Sequence, residues 1–363
     1  RRPPGSTRFP ARRSSDLLLK KLVEGYATFQ PTEQQLEQAK SWYLERLDAA
    51  EKGKAFEQAI QPMQLLSQLP YTQRETRRKL VSTISLKDVT TYRDTLFRDA
   101  TPEMLVVGNL SADSVTQLGH ELKQQMQSNA TRDWHSQYVT IKKPLKANLQ
   151  QQGSSTDSAL AALYVPLGYG EYQSMAHSSM LSQIVQPWFY NQLRTKEQLG
   201  YAVFAFQMPV GRQWGVGFLL QSNSKQPDWL LQRYKAFYPQ AEKRLRSMSK
   251  ADFAQYQQAM INDLQQRPQT LFEEADRFSR DFDRQNDHFN TRQKVIEQVQ
   301  QLTPASLADF FRQAVIEHKG MVMTSQIAGT GTGKTEFARQ PGWKTWNEVA
   351  QLQQSLPVKS ETQ

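Results

Sequence analysis

The residues whose types and spacing best suit chemistry lie in one stretch, Gln186-Pro187-Trp188-Phe189-Tyr190-Asn191-Gln192-Leu193-Arg194-Thr195-Lys196-Glu197-Gln198-Leu199-Gly200-Tyr201. It reads as a helix end, a glycine at Gly200 suited to a left-handed cap, and a strand that begins at Tyr201. This geometry would bring the Arg194 guanidinium and the Tyr201 phenol to a surface where helix meets sheet. Arginine offers a planar fork of donors and tyrosine a neutral O–H donor. Such a pair suits gripping a peptide carbonyl or an oxyanion as it develops. A plainer explanation fits the same residues: an arginine compensating a helix C-terminus and a tyrosine at a strand edge. Spacing alone favours the plainer one.

Other motifs carry less. Ala328-Gly329-Thr330-Gly331-Thr332-Gly333-Lys334-Thr335 is a loosened phosphate-loop pattern after a strand. Its first position is Ala, Pro341-Gly342 follows soon after, and too little chain remains for an acidic strand to hold magnesium, so a Gly/Thr turn is expected. The five histidines are His120, His135, His177, His288 and His318, and none has a partner at helical spacing. His120-Glu121 begins like a zinc helix, but Gln124 stands where the second ligand belongs. No His-x-x-Glu-His or Gly-x-Ser-x-Gly occurs. The absence of cysteine excludes disulfides and thiolate chemistry. Trp229, Arg233, Tyr234, Lys235, Phe237 and Tyr238 interleave aromatic and basic residues, but at helical spacing and with Asp228 and Glu242 nearby. A core-facing stripe is expected there rather than a nucleic-acid surface.

The elements that must position Arg194 and Tyr201 follow from periodicity and breakers. Helices are expected at 18–29, 32–52, 54–68, 72–81, 86–98 and 111–126, with a buried strand at Met104–Gly108. Residues 127–155 are polar and read as a linker with one strand at Tyr138–Ile141. Then come a strand at Ala159–Pro166, a helix over 172–198 kinked near Pro187, and a hairpin of Tyr201–Met208 and Trp214–Gln221 turning at Pro209-Val210-Gly211. Helices at 227–247, 249–265, 270–286, 291–301 and 304–317 precede a strand at Gly320–Ile327. The remaining tail carries Trp343 and Trp346 as packing anchors.

Part of this order occurs twice. Ser85-Leu86-Lys87-Asp88-Val89 matches Thr303-Pro304-Ala305-Ser306-Leu307, Thr32 and Leu36 match Ser249 and Phe253, and Phe56-Glu57-Gln58-Ala59 matches Phe272-Glu273-Glu274-Ala275. A period this long marks a duplicated domain. The expected fold class is α+β, with duplicated domains each of a mostly antiparallel sheet flanked by helices, the first copy truncated. The chain is thus expected to be the rear of a longer protein.

No apolar run approaches the ~20 residues of a membrane span. Of the net charge of +10, residues 1–17 carry +4, from Arg1, Arg2, Arg8, Arg12 and Arg13 less Asp16, and the rest of the chain carries a modest +6. Arg12-Arg13-Ser14-Ser15-Asp16-Leu17 is one reading frame of a common sequencing adapter, so residues 1–17 are expected to be a non-native segment. A basic arm is the other reading, weakened by the lack of lysine and of interleaved aromatics.

Leu193-Arg194-Thr195-Lys196-Glu197-Gln198-Leu199-Gly200-Tyr201 closely resembles the C-terminal signature of the pitrilysin/insulinase family of zinc metalloendopeptidases. Ser41-Trp42-Tyr43, Glu51-Lys52-Gly53-Lys54-Ala55-Phe56, Asp281-Phe282-Asp283-Arg284 and Trp214–Asn223 resemble its bacterial members, and the likeness runs over nearly all of 18–357. The resemblance implies a LuxS/metallopeptidase-like fold and four related domains in two halves that close around a peptide. Residues 18–130 would be the rear of the third domain, 131–157 a linker and first strands, and 158–363 the fourth domain with a tail. It further implies a periplasmic protein whose partners are peptide substrates and its own N-terminal half, without nucleic acid or membrane. Arg194 and Tyr201 would position substrate and stabilise the oxyanion, and Tyr190 and Gln198 would bind substrate. Zinc would sit on a His-x-x-Glu-His helix in the half this sequence lacks, leaving the chain alone inactive. The alternative is a metal-free peptide-binding or scaffold protein on the same fold. Since no three-ligand set exists at workable spacing, the dialysed chain is expected to hold no stoichiometric zinc. Elemental analysis checks this, and one tightly held zinc per chain would overturn it.

Overall fold

The computed structural model describes residues 11–100, 102–126, 137–331 and 335–360. Six helices come first: α1 (Ala11–Thr28), α2 (Glu33–Glu51), α3 (Ala55–Leu65), α4 (Arg74–Thr83), α5 (Leu86–Asp99) and α6 (Ala112–Met126). Strands β1 (Gln137–Val139), β2 (Leu145–Gln152) and β3 (Ser158–Pro166) precede α7 (Glu171–Tyr190) and the hairpin of β4 (Ala202–Val210) and β5 (Gln213–Ser222). Helices α8 (Pro227–Arg246), α9 (Lys250–Gln265), α10 (Leu271–Phe282), α11 (Thr291–Gln301) and α12 (Pro304–Phe311) lead to β6 (Gly320–Ala328). The tail holds β7 (Lys344–Trp346), α13 (Val349–Gln354) and β8 (Val358–Ser360).

The repeat read from the sequence reappears as helices. α2, α3, α4 and α5 start 217, 216, 217 and 218 residues before α9, α10, α11 and α12. Their caps recur too. Ser85 and Thr303 each accept a hydrogen bond from the backbone N–H three residues on, in capping boxes completed by Asp88 and Ser306.

Two compact units follow space rather than chain order. One takes 1–45, 78–135 and 268–284, and the other takes 46–77, 136–267 and 285–363. α3, from the front of the chain, therefore belongs to the second unit, and its repeat counterpart α10 belongs to the first. Within the first unit Lys20 pairs with Glu121, and Arg93 Nη1 donates to the Phe29 carbonyl at 2.5 Å. Leu18, Leu22, Tyr92, Leu271 and Phe272 remain exposed there.

The second unit is built on a six-stranded sheet of order β4-β5-β3-β6-β2-β7. The β4–β5, β5–β3 and β3–β6 pairs are antiparallel, and β2 runs parallel to both β6 and β7. β3 and β6 are buried along their whole length, as near-continuous apolar strands should be when both faces are covered. Leu160, Ala162 and Tyr164 face one core with α7, α8, α11 and α12. Ala161, Leu163 and Val165 face the other with α3 and α13.

Three expectations differ from the structure. Met104–Gly108 is half-buried but forms no strand. A strand needs a ladder partner, and β6, its counterpart, lies between β3 and β2, which have no earlier copy in this chain. Leu145–Gln152, read as linker, is an interior strand. Its buried Asn148 accepts from Thr324 Oγ1 at 2.8 Å and Gln326 Nε2 at 2.7 Å, so this polar residue bonds across the sheet instead of facing water. The hairpin turns at Gly211-Arg212, because Pro209 and Val210 still pair with Trp214 and Gln213.

Other expectations fall differently. Tyr234, Phe237 and Tyr238 are buried, so the aromatic stripe of α8 is core, and Trp346 is buried as an anchor. Residues 335–340 are not helical, so no helix N-terminus follows the Gly/Thr segment; 332–334 lie outside the described residues. Residues 1–10 and the side chains of 11–17 also lie outside them, and with them the packing of the N-terminal segment. Phe218 is fully buried among Tyr164, Phe189, Tyr234, Phe237, Tyr238 and Phe311. Phe218→Ala is expected to lower the stability of the chain by about 3–5 kcal/mol, whereas Phe272→Ala, at a residue 81% exposed, should stay within about 0.5 kcal/mol. Urea denaturation of the two variants checks the contrast.

Candidate functional site

The helix that carries the site does not end as an α-helix. After Tyr190 it widens into a π-helical turn, Asn191–Lys196, a feature often found at functional positions. The turn closes with Glu197 N–H on the Gln192 carbonyl at 3.1 Å and Leu199 N–H on the Leu193 carbonyl at 3.0 Å. Leu193 and Leu199 are buried on either side of it. The left-handed residue is Gln198, with φ 52°, and not Gly200 as the sequence led us to expect. Gly200 is needed for a different reason: a Cβ there would lie 1.7 Å from the Gln221 carbonyl oxygen of β5. The chain leaves the helix so close to the sheet that only hydrogen fits.

Glu197 ties this turn to α8. Arg233 grips its carboxylate through Nε at 2.7 Å and Nη2 at 2.6 Å, and Gln192 Nε2 donates to it at 2.7 Å. The Arg233 guanidinium, followed by the Gln192 amide, holds the Glu197 carboxyl below its ordinary range despite partial burial.

The four expected site residues sit around this turn. Tyr190 ends α7 and is 42% exposed. Arg194 is half-buried and has no hydrogen bond or ion pair among the described residues. Gln198 is exposed at the left-handed position. Tyr201, 54% exposed, stands just before β4. No hydrogen bond joins Arg194 to Tyr201. The phenol instead donates to Asp157 Oδ2 at 3.3 Å and accepts from Gln221 Nε2. Gln221 Nε2 also donates to Asp157 Oδ2 at 2.5 Å, and Gln221 Oε1 accepts from the Phe56 N–H of α3 at 3.0 Å. Partial burial of the hydroxyl, then the Asp157 charge, push the Tyr201 phenol above its usual value; the Gln221 bond pulls it down, and Glu57 adds a smaller upward push. Sequence reading missed Asp157 and Gln221. They lie 44 and 20 residues from Tyr201, and only the sheet register brings them together.

A second copy of this helix exit serves as an internal control. After α12, a π-helical turn Arg312–Ile316 closes with Glu317 N–H on Arg312 O at 2.8 Å and Lys319 N–H on Gln313 O at 2.8 Å. His318 takes the left-handed position at φ 54°, and a Cβ on Gly320 would lie 2.1 Å from the Val165 carbonyl. Residue for residue, the place of Arg194 is taken by Ala314 and that of Tyr201 by Met321, both buried. The turn therefore needs its glutamate and its glycine, but neither an arginine nor a tyrosine.

The neighbouring surface has two further features. Phe56, Glu57 and Ile60 of α3 and Phe204, Phe206 and Leu219 of β4 and β5 line a cavity of about 620 Å³. β4 is the edge of the sheet, yet Gln186 of α7 donates to Val203 O at 3.3 Å and accepts from Ala205 N–H. The side chain does there what a neighbouring strand would do. Among the described residues no group of histidines and carboxylates is placed to hold a metal ion. His177 is instead enclosed by Tyr169 and Phe310, and burial lowers its basicity.

This arrangement, an α+β lobe that presents an arginine and a tyrosine, has close counterparts among peptidases. Residues 180–279 match a family described as PQQ synthase PqqF-like, C-terminal lobe domain 4. The chain is 56% identical to Protease 3 of Salmonella typhi over 340 residues, which is 94% of this chain and 35% of that protein. It is 54% identical to Protease 3 of Escherichia coli K12 over 344 residues, 95% of this chain and 36% of that one. The crystal structure of pitrilysin superposes with a TM-score of 0.94 at 53% identity, covering 96% of this chain and 37% of that chain. Fold and sequence thus match the C-terminal part of pitrilysin-type proteins. The chain belongs to the pitrilysin family, and it spans about a third of the length of the relatives it matches.

The Glu197–Arg233 pair generates a pH prediction. A carboxyl held below its ordinary value of 4.5 contributes stability that is complete above that pH and disappears as pH falls through the lowered folded value. Glu197→Gln is expected to lower the urea midpoint at pH 7 by the equivalent of about 0.5–1 kcal/mol, reduced by solvent screening of a partly exposed pair. The gap to the wild-type chain should close as the solution is acidified below 4.5. A gap that stays constant with pH would show that the pair contributes nothing through its charge.

Proposed function

We propose that this chain is the substrate-contacting C-terminal part of a zinc metalloendopeptidase that degrades oligopeptides in an enclosed chamber, and that alone it hydrolyses nothing. In this reading residues 18–130 are the rear of a third domain, 131–157 a linker with the first strands, and 158–363 a fourth domain. The remainder of the protein supplies the zinc. Among the described residues no donor set fits a metal, so no part of the reaction is assigned to one there. The periplasm is the proposed compartment.

The observation that carries the proposal is the comparison of the two helix exits. Arg194 and Tyr201 stand where the same turn folds with Ala314 and Met321, so their side chains answer to something other than the fold. The comparison supports this reading over the plainer one of a helix-end arginine and an edge tyrosine. A Tyr201 O–H can donate to a peptide carbonyl oxygen as it gains negative charge, and the uncommitted Arg194 guanidinium can hold a neighbouring carbonyl or carboxylate. Tyr190 and Gln198 would contact the peptide alongside them. Because Gln186 already occupies the edge of β4 and Pro209 has no N–H to give, these contacts are made by side chains rather than by an added strand. The exposed apolar residues of the first unit support a further part of the protein packing over them.

The test is to extend the reading frame upstream, express the complete protein, and compare cleavage of a quenched fluorescent peptide by wild type, Tyr201→Phe and Arg194→Ala. Removing one donor to the oxyanion is expected to lower turnover about 10²–10³-fold, with melting curves unchanged. Wild-type rates in both variants would return the pair to a structural role. An upstream frame without His-x-x-Glu-His would assign the chain to the metal-free binding proteins of this fold.

A further inference from the structure

Gln221 is 2% exposed, at the end of β5, with Ala202 of β4 and Ala159 of β3 as its neighbours across the sheet. The orientation of its amide is fixed by what surrounds it. The Phe56 N–H can only donate, so the group facing it at 3.0 Å must be Oε1. The Nε2 hydrogens then point the other way, one to Asp157 Oδ2 and one to Tyr201 Oη. Every donor on this side-chain amide has an acceptor, and its oxygen has a donor. Turning the amide over would set Oε1 against the Asp157 carboxylate and Nε2 against the Phe56 N–H, two repulsions at once.

This has a consequence for the phenol. Tyr201 has one proton and two lone pairs. Gln221 fills a lone pair and fixes the oxygen. The proton goes to Asp157 at 3.3 Å, long beside the ~2.5–2.7 Å of a tight O–H···O⁻ bond. The oxygen is thus held firmly and the proton loosely. A hydrogen bond received by a hydroxyl also strengthens the one it gives.

We propose that Gln221 is the positioning residue of Tyr201: it locks the phenol oxygen from a site anchored on α3 and leaves the O–H free to turn from Asp157 to a peptide carbonyl. The inference rests on the proposed function for its catalytic part only, since the network itself is a property of this chain. The charged groups facing the phenol are Asp157 and Glu57, and both favour the protonated donor, whereas Gln221 favours the anion.

The experiment has two arms. In the first, this chain is labelled with ¹³Cζ-tyrosine and the Tyr201 resonance is titrated with pH. Gln221→Leu should move its titration to higher pH, and Asp157→Asn to lower pH. If Gln221→Leu does not fold, Gln221→Glu keeps the acceptor for Phe56 and should also move it higher. An unmoved titration in the folded Gln221 variant overturns the inference, whatever the protein does. In the second arm, the complete protein carrying Gln221→Leu is assayed on the quenched peptide. Its kcat should fall about ten- to a hundredfold, as for a misplaced catalytic group, with KM within about twofold, because the contact matters only in the transition state. An unchanged kcat overturns the positioning role. A wild-type protein that cleaves nothing overturns the functional reading instead, and the first arm alone then judges the inference.

Discussion

The second unit is governed by a sheet whose two central strands are buried on both faces. Every position of β3 and β6 is buried, and each large aliphatic side chain so enclosed is worth about 1.5–3 kcal/mol relative to exposure. Such a sheet cannot stand against water on either side. Helices α7, α8, α11 and α12 cover one face from the same stretch of chain. The other face needs cover from elsewhere, and it comes from α3, near the front, and from α13 in the tail. Gln353 of α13 donates to the carbonyls of Leu65, Leu66 and Gln68 just past α3, fastening the two covering pieces together. The need to cover the second face is what draws a front-half helix into the unit formed by the back half.

The same need sets up the site. Because α3 lies on that face, its first turn comes within reach of the end of β5. The Phe56 N–H is one of the four at a helix start that have no partner within the helix, and Gln221 supplies it one. A helix start that required a partner and a strand end that bore an amide are thus joined, and the far side of that amide faces Tyr201. The packing that buries the sheet and the hydrogen bonds that orient the phenol are consequences of one placement. The Glu197–Arg233 pair acts on the other side, fixing the π-helical turn that carries Arg194 to α8. Tyr201 and Arg194 are therefore held by different elements, one from each face of the sheet.

Local features were legible in the sequence. Helix starts at Ser85, Ser249 and Thr303 follow from short polar residues before apolar periodicity, and the apolar run Ala159–Pro166 announces a strand. The Arg194–Tyr201 stretch was legible as a motif. What escaped was everything set by partners distant in sequence. β2 reads as linker because Asn148, Gln150 and Gln151 look solvated, and nothing local reveals Thr324 and Gln326 waiting across the sheet. Met104–Val107 reads as a strand because apolar periodicity reports burial, whereas a strand requires a ladder as well. The left-handed residue was assigned to Gly200 because glycine tolerates that conformation, yet Gln198 adopts it and Gly200 answers a steric demand from β5. The network of Asp157, Gln221 and Phe56 follows from register alone.

The edge of the sheet shows how protection and recognition are reconciled. An open edge strand bearing Phe204, Phe206 and Met208 would invite another strand to pair with it. Gln186 removes that opportunity in the first half of β4 by bonding Val203 O and Ala205 N–H, and Pro209 removes a donor further on. The cost is that backbone pairing, the least selective way to hold a peptide, is lost there. In the proposed function recognition falls to side chains: Tyr190 at the end of α7, Arg194 on the π-helical turn, and Tyr201 bonded to Gln221. Tyr201 is set by Gln221, itself buried and bonded to α3, and Arg194 rides on a turn fastened to α8, so a peptide would meet side-chain donors rather than an adaptable strand. A surface of that kind discriminates by where a carbonyl lies rather than by sequence. That suits the proposed contact with the main chain of many different peptides.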